Sequence, residues 1–296
     1  MKKTLILCDS ASDIPPSWEE QLPLRIMNIG IEMYGHSYRD RVDITSEEIY
    51  REVASRGNAP GFPCTAHSSP LEFYQEYQRA ASEGYEAIVS VWLNARGSGT
   101  FETAQLAWRG FCQDYPQEAE RMTMYFVDSG TYSLGIGWWV IKAGQMVLEG
   151  IPAAEIARRL EDQYAHQTTL LSLYSLEYAR RSGRLGSLTA FVGEILGVKP
   201  QMTIAGENRV VGKVRGDRNV IPRLADLFFQ DAEDPFGPYV VAYGDDRARG
   251  EELAAAIQAR GGRAPDLIAP VGPCVAINSG PKVVGMAYRS KQYARG

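Results

Sequence analysis

Three stretches of this chain repeat one order, and that order restricts the kind of sheet the chain can build. Each is an apolar run, then a cluster of hydroxyl residues or glycine, then a helix-like stretch. Thr4-Leu-Ile-Leu-Cys8 leads into Asp9-Ser-Ala-Ser-Asp-Ile-Pro15. Ala87-Ile-Val-Ser-Val-Trp92 leads into Asn94-Ala-Arg-Gly-Ser-Gly-Thr100 and a helical pattern from Phe101 to Phe111. Thr123-Met-Tyr-Phe-Val127 leads into Asp128-Ser-Gly-Thr131 and a long run to Leu148. Unbroken apolar runs suit strands buried on both faces, as in a parallel sheet. Helices between them supply the crossovers that parallel strands need. In such sheets the ligand crevice lies beyond the carboxyl ends of the strands. Free N–H groups at helix starts make that crevice favourable to anions. The sequence therefore predicts a pocket for a ligand with a negative head.

The pattern changes after about Gly150. A helix is predicted over Ile151 to Gln167, with Ile156, Leu160 and Tyr164 four apart on one face. Thr169 to Tyr174 reads as a strand, and Leu176 to Arg181 as a short helix ended by Gly183. A further helix is expected over Leu188 to Leu196. Residues 201–204 and 210–214 form a hairpin around Ala205 to Arg209. Helices over Asn219 to Phe229 and Gly250 to Ala259 alternate with strands at Tyr239 to Tyr243, Asp266 to Val271 and Val283 to Tyr288. This mixture predicts an α+β sandwich behind an N-terminal Rossmann-like parallel-sheet domain. The expected division is 1–165 and 166–296. No Pro/Gly/Ser tether separates the halves, so they should pack together, with a cleft between them as the favoured ligand site.

Charge and cysteine usage narrow the classes. A net charge of −5 with no basic stripe argues against a nucleic-acid partner. No apolar stretch is long enough to span a bilayer. The apolar part of Met1 to Cys8 is too short for a signal-peptide core. Four cysteines without a Cys-x-x-Cys pair fit a reducing, cytoplasmic location. Asp9 and Asp128 sit at strand ends, but no second carboxylate stands at metal spacing, so no metal is expected. Gly135-Ile-Gly137 lacks the third glycine of a dinucleotide fingerprint, and no cofactor is expected.

An ordered set of motifs resembles the DegV family. Asp9 to Pro15 looks like its opening motif. Thr65-Ala-His-Ser-Ser-Pro70, with Phe73 beyond, resembles its Thr-Ser-Gln-Pro-Ser-Pro segment. Ser98-Gly-Thr100 resembles a Ser-Gly-Thr that opens a helix. Gly183-Arg184 matches the end of a Gly-Gly-Arg segment, and Gly272-Pro273 with Ser279-Gly-Pro281 matches the C-terminal Gly-Pro…His-Thr-Gly-Pro segment. The resemblance implies two α/β domains with a long-chain fatty acid buried between them, in a carrier rather than an enzyme. It also implies a partner, a fatty-acid kinase to which the bound acid is presented. The carboxylate would be held by Thr65, Ser98, Gly99, Asn278 and Ser279, with Arg184 and His67 facing the pocket or a partner. The chemistry is sound on its own terms. Hydroxyls and helix-start amides donate to a carboxylate, each bond being worth roughly 1.5–3 kcal/mol. Each buried methylene adds about 0.8 kcal/mol before ordering costs.

The chain departs from the family pattern near the expected head group. Asn278 stands where a histidine is expected, His67 where a glutamine is, Asn94 and Ala95 where serines are, and Gly97 where a leucine is. An asparagine donates hydrogen bonds but carries no charge. These changes leave open a different acidic or a neutral-headed lipid. A serine hydrolase acting on lipid or acyl esters is the rival function, with Ser98 as nucleophile, His67 as base and Asp128 as orienter. Arg96 stands where the first glycine of a Gly-x-Ser-x-Gly elbow would be, which counts against it. Taken alone, Ser98 reads as a helix cap, Thr65 as a turn residue in a Pro-punctuated loop and Arg184 as a solvated charge.

Overall fold

The computed structural model describes residues 3–183 and 197–292. The helix expected over 188–196, and Arg184, lie outside them. In chain order the elements are β1 (Thr4–Asp9), α1 (Pro16–Glu19), β2 (Leu24–Met27), β3 (Gly30–Met33), β4 (His36–Arg39), α2 (Ser46–Arg56), β5 (Cys64–Ala66), α3 (Pro70–Ser82), β6 (Ala87–Trp92) and α4 (Thr100–Asp114). Then come α5 (Pro116–Arg121), β7 (Thr123–Asp128), α6 (Leu134–Leu148), α7 (Ala153–His166), β8 (Gln167–Leu173), α8 (Glu177–Arg181), β9 (Val198–Ala205) and β10 (Glu207–Arg215). The chain continues through α9 (Val220–Asp231), β11 (Tyr239–Tyr243), α10 (Arg247–Gln258), β12 (Leu267–Pro270), α11 (Pro273–Ser279) and β13 (Val283–Arg289).

The three repeated stretches form the centre and one edge of a four-stranded parallel sheet, in the order β2-β1-β6-β7. Every residue of β1 and β6 is buried, as their unbroken apolar runs require. Alternate side chains go to opposite faces. Ile6, Cys8, Val89 and Val91 pack with Ile136, Val140, Ile156 and Leu160 of α6 and α7. Leu5, Leu7, Ile88 and Trp92 pack with Phe73 and Tyr77 of α3 and with Ala104 and Phe111 of α4. The 156/160/164 stripe read from the sequence is this inward face of α7. Gly137 has a packing role. A Cβ there would lie 2.2 Å from the Ser12 carbonyl oxygen, so its absence lets α6 lie directly against the turn after β1.

The second sheet runs β10-β9-β8-β13-β11-β12, antiparallel throughout except for the β11–β12 pair. One face carries Leu170, Val241, Val284 and Met286 against Leu224 and Phe228 of α9 and Leu253 and Ile257 of α10. The other face is covered by segments the sequence pattern did not reveal. Residues 30–66 contain a small antiparallel sheet, β4-β3-β5. Ile31 and Met33 from it, and Ile49 and Tyr50 of α2, join Leu173, Met202, Val283 and Ile277 in one cluster. Ser46 Oγ donates to the Val271 carbonyl at 2.8 Å across this seam. A second bridge is α6, whose Leu134 and Trp138 pack on Val240, Ala269 and Ala287. An early segment of the chain thus completes the core of the late one.

Candidate functional site

Between the inner face of the six-stranded sheet and the carboxyl end of the parallel sheet lies a cavity of about 380 Å³. That is within the range of small-molecule sites, roughly 300–1,000 Å³. Leu171 and Leu173 of β8, Met202 and Ile204 of β9, and Val283 and Ala287 of β13 form an apolar floor. Leu93, Ile29 and Leu134 reach in from the parallel-sheet side. At one end Thr65, His67, Arg96, Gly97 and Ser98 line both this cavity and an adjoining vestibule of about 350 Å³, which Gly99 and Glu102 also border. The space therefore has a greasy body and a polar mouth.

The mouth is assembled from the loops after β5 and β6. Thr65 sits in the short strand β5, paired opposite Ile31 of β3. Its sequence reading as a loop residue missed this because the pairing partner lies over thirty residues upstream. The loop after β6 is held at several points. The Asn94 amide N–H donates to the Thr131 carbonyl at 3.1 Å, and its Nδ2 to the Gly206 carbonyl at 2.9 Å. Asn94 Oδ1 accepts from the Arg96 N–H, and Asp128 Oδ1 accepts from Ala95 and Gly130 N–H groups. Gly97 stands where the resemblance leads one to expect a leucine. A Cβ there would lie 2.0 Å from the Tyr132 hydroxyl, so the missing side chain is the space that Tyr132 enters. Gly99 caps α4, its carbonyl accepting the Thr103 N–H at 2.9 Å. Ser98 Oγ lies 2.8 Å from Thr100 Oγ1 and accepts the Thr100 N–H at 3.3 Å.

Asn278 and Ser279 also line the cavity, from α11, a helix the sequence reading did not anticipate. Asn278 Nδ2 donates to the Cys274 carbonyl at 2.9 Å, one turn back in its own helix. Behind the cavity sit three buried carboxyls. Asp13 follows β1 in a left-handed conformation and accepts from Ser133 Oγ at 2.5 Å. Burial pushes its pKa up to about 8, with the Asp40 charge adding and the Ser133 bond opposing. Burial likewise raises Asp9 to about 7, against amide bonds from Leu93 and Ala11, and Asp40 to about 6.

Of the residues singled out from sequence, Thr65, His67, Ser98, Asn278 and Ser279 line the one cavity, and Gly99 lines its vestibule. Arg184 lies outside the described residues. Sequence reasoning missed Tyr132, the β9 floor residues and the 30–66 sheet. The alternation Thr169, Leu171, Leu173 could have marked one face of β8, but nothing local tells which face meets a cavity. The bonds of the hydrolase candidates build turns rather than a relay. Ser98 Oγ turns to Thr100, His67 Nδ1 to the Ser68 carbonyl at 3.0 Å, and Asp128 Oδ1 to two loop amides. Among the described residues there is no group of three His, Cys, Asp or Glu side chains placed to hold a metal ion. No described helix is long and apolar enough to cross a membrane.

An α/β protein of two main sheets, with an apolar cavity ending at a helix start, is the class this geometry defines. Residues 3–291 match the profile of the DegV family, described as an uncharacterised protein family. A DegV domain-containing protein of Caldanaerobacter subterraneus subsp. tengcongensis is 30% identical over 227 residues, covering 76% of each chain. The structure described as showing fatty-acid binding by a DegV family protein from Thermus thermophilus superposes with a TM-score of 0.84, at 28% identity, over 98% of this chain and all of that one. A stearic-acid-binding protein from Eubacterium ventriosum shares the fold, with a TM-score of 0.84 at 24% identity, over 98% of this chain and 99% of that one. The chain belongs to the DegV family.

Proposed function

We propose that this protein binds one long-chain fatty acid, tail on the apolar floor and carboxylate at the polar mouth. The observation that carries this reading is the cavity itself, apolar along β8, β9 and β13 and ending beside Thr65, Ser98 and the start of α4. The fatty-acid binding described for the Thermus thermophilus relative supports it. Hydroxyls of Thr65 and Ser98, the Gly99 N–H, and Asn278 with Ser279 from α11 hold the head. A helix start favours a negative group. Each buried methylene contributes about 0.8 kcal/mol, gross. In this reading residues 1–165 and 166–296 are two domains that close on the lipid. The protein acts in the cytoplasm as a carrier, not an enzyme, and presents the acid to a fatty-acid kinase. The test is extraction of the purified, denatured protein and mass spectrometry of the organic phase. One fatty acid per chain is expected. A lipid-free protein that also fails to take up added palmitate overturns the reading.

A further inference from the structure

His67 lies in the segment between β5 and α3, exposed at the vestibule and lining the cavity mouth. Its Nδ1 is 3.0 Å from the Ser68 carbonyl oxygen. A carbonyl only accepts, so Nδ1 carries the proton. The other nitrogen then faces the start of α4. A Cβ built on Gly99 would lie 3.1 Å from Nε2, so the ring edge rests on the glycine that caps the helix, beside Ser98. Asn278, also in the cavity lining, has its Nδ2 turned to the Cys274 carbonyl. Resting on the fatty-acid reading above, we infer that His67 Nε2 is the contact that selects the lipid head group. The chemistry follows from the fixed Nδ1–H. In the neutral ring Nε2 offers a lone pair, which accepts from a hydroxyl head and repels a carboxylate. In the protonated ring Nε2 offers an N–H, which donates to a carboxylate in a charge-assisted bond. One residue thus suits two head-group classes according to its protonation.

Charged side chains of the described residues belong to the elements next to the ring. Arg96, from the loop after β6, is ion-paired with Glu207 of β10. Glu102 lies in the first turn of α4 and borders the vestibule. From α3, Glu72 is turned to the Ser69 N–H and hydroxyl in a capping box. Histidine is the side chain that ordinarily changes charge between about pH 5 and 8. The experiment compares palmitate and 1-hexadecanol, equal in chain length, binding to the delipidated full-length protein between pH 5.5 and 8. His67→Gln and Gly99→Ala are run beside it. In the native protein the preference for palmitate over hexadecanol rises roughly tenfold or more toward the acid end, the size of a charge-assisted bond. In His67→Gln that rise is lost. Gly99→Ala, whose added methyl crowds Nε2, moves toward the His67→Gln profile without touching the imidazole chemically. Binding of palmitate by both native protein and His67→Gln with the same preference at every pH overturns the inference alone. A native protein that binds neither lipid overturns the fatty-acid reading and this inference with it.

Discussion

The parallel sheet has both of its faces covered by helices, α3 and α4 from its crossovers on one side and α6 and α7 after its last strand on the other, whereas the six-stranded sheet covers one face with α9 and α10 and leaves the other to borrowed segments. On the first sheet, α6 and α7 seal one side and α3 and α4 the other, down to residues with no exposure such as Phe73, Val89 and Phe111. On the second, residues 30–66, with α2 among them, and α6 supply part of the cover, and the cavity lies against the same face. Protein interiors are packed as densely as organic crystals. An apolar face left partly uncovered therefore invites a ligand, while a sealed one does not. The difference separates the sealed region from the region that holds the cavity.

Predictions follow from that contrast. Phe111→Ala in the sealed layer should destabilise by about 3–5 kcal/mol, through lost burial and a residual cavity. Urea unfolding measures it. A loss under about 1 kcal/mol would mean that the layer is not tightly packed. Removing the proposed lipid should act on the open face. A ligand at a hundred times its Kd stabilises by about 2.7 kcal/mol. Thermal melts of delipidated protein, with and without added palmitate, should differ accordingly, and coincident melts would show that the cavity does not depend on a filler. Thr65→Val combined with Ser98→Ala should weaken palmitate binding by roughly 1.5–3 kcal/mol for each bond lost to a charged acceptor. Tail burial keeps some binding alive. Isothermal titration checks this, and unchanged affinity would remove both hydroxyls from the site.

A pH-dependent effect is expected at the seam between the two regions, where Asp13 lies against Gly272 at the start of α11. Burial raises its folded-state pKa to about 8, against roughly 3.9 in an unfolded chain. The folded protein thus holds a proton that the unfolded chain releases. Stability from this group is fully present below about pH 3.9 and is lost as pH rises through about 8. Asp9 and Asp40 shift in the same direction. The melting temperature should fall from pH 5 to pH 9, and Asp13→Asn should lessen that fall by about 2 °C or more. Equal slopes in the two proteins would locate the pH dependence elsewhere.

Much of the architecture is legible in local pattern. The apolar runs of β1, β6 and β7, the stripe of α7, the hairpin of β9 and β10, and the helix opening at Ser98-Gly-Thr100 all follow from periodicity and turn chemistry. Those signals are local because backbone pairing and capping act over a few residues. Family motifs likewise brought Thr65, Ser98 and Asn278 forward as a set, and the fold gathers them around one cavity.

What the amino-acid order determined by itself was therefore the kind of element where a clear period runs, as in β1, β6, β7 and α7, and the parallel arrangement of the first sheet. The tertiary structure decided three further matters. It folded residues 30–66 over the face of a sheet that begins at residue 167, since strand pairs and core contacts between distant segments leave no period in the sequence. It filled the space left by Gly97 with Tyr132, a complementarity visible only once two loops meet. It also turned Asn278 back onto its own helix while directing His67 toward Gly99, so the imidazole at the mouth comes from a different strand loop than the motif implied. Side-chain direction depends on how elements dock, and docking is fixed by packing across the whole chain.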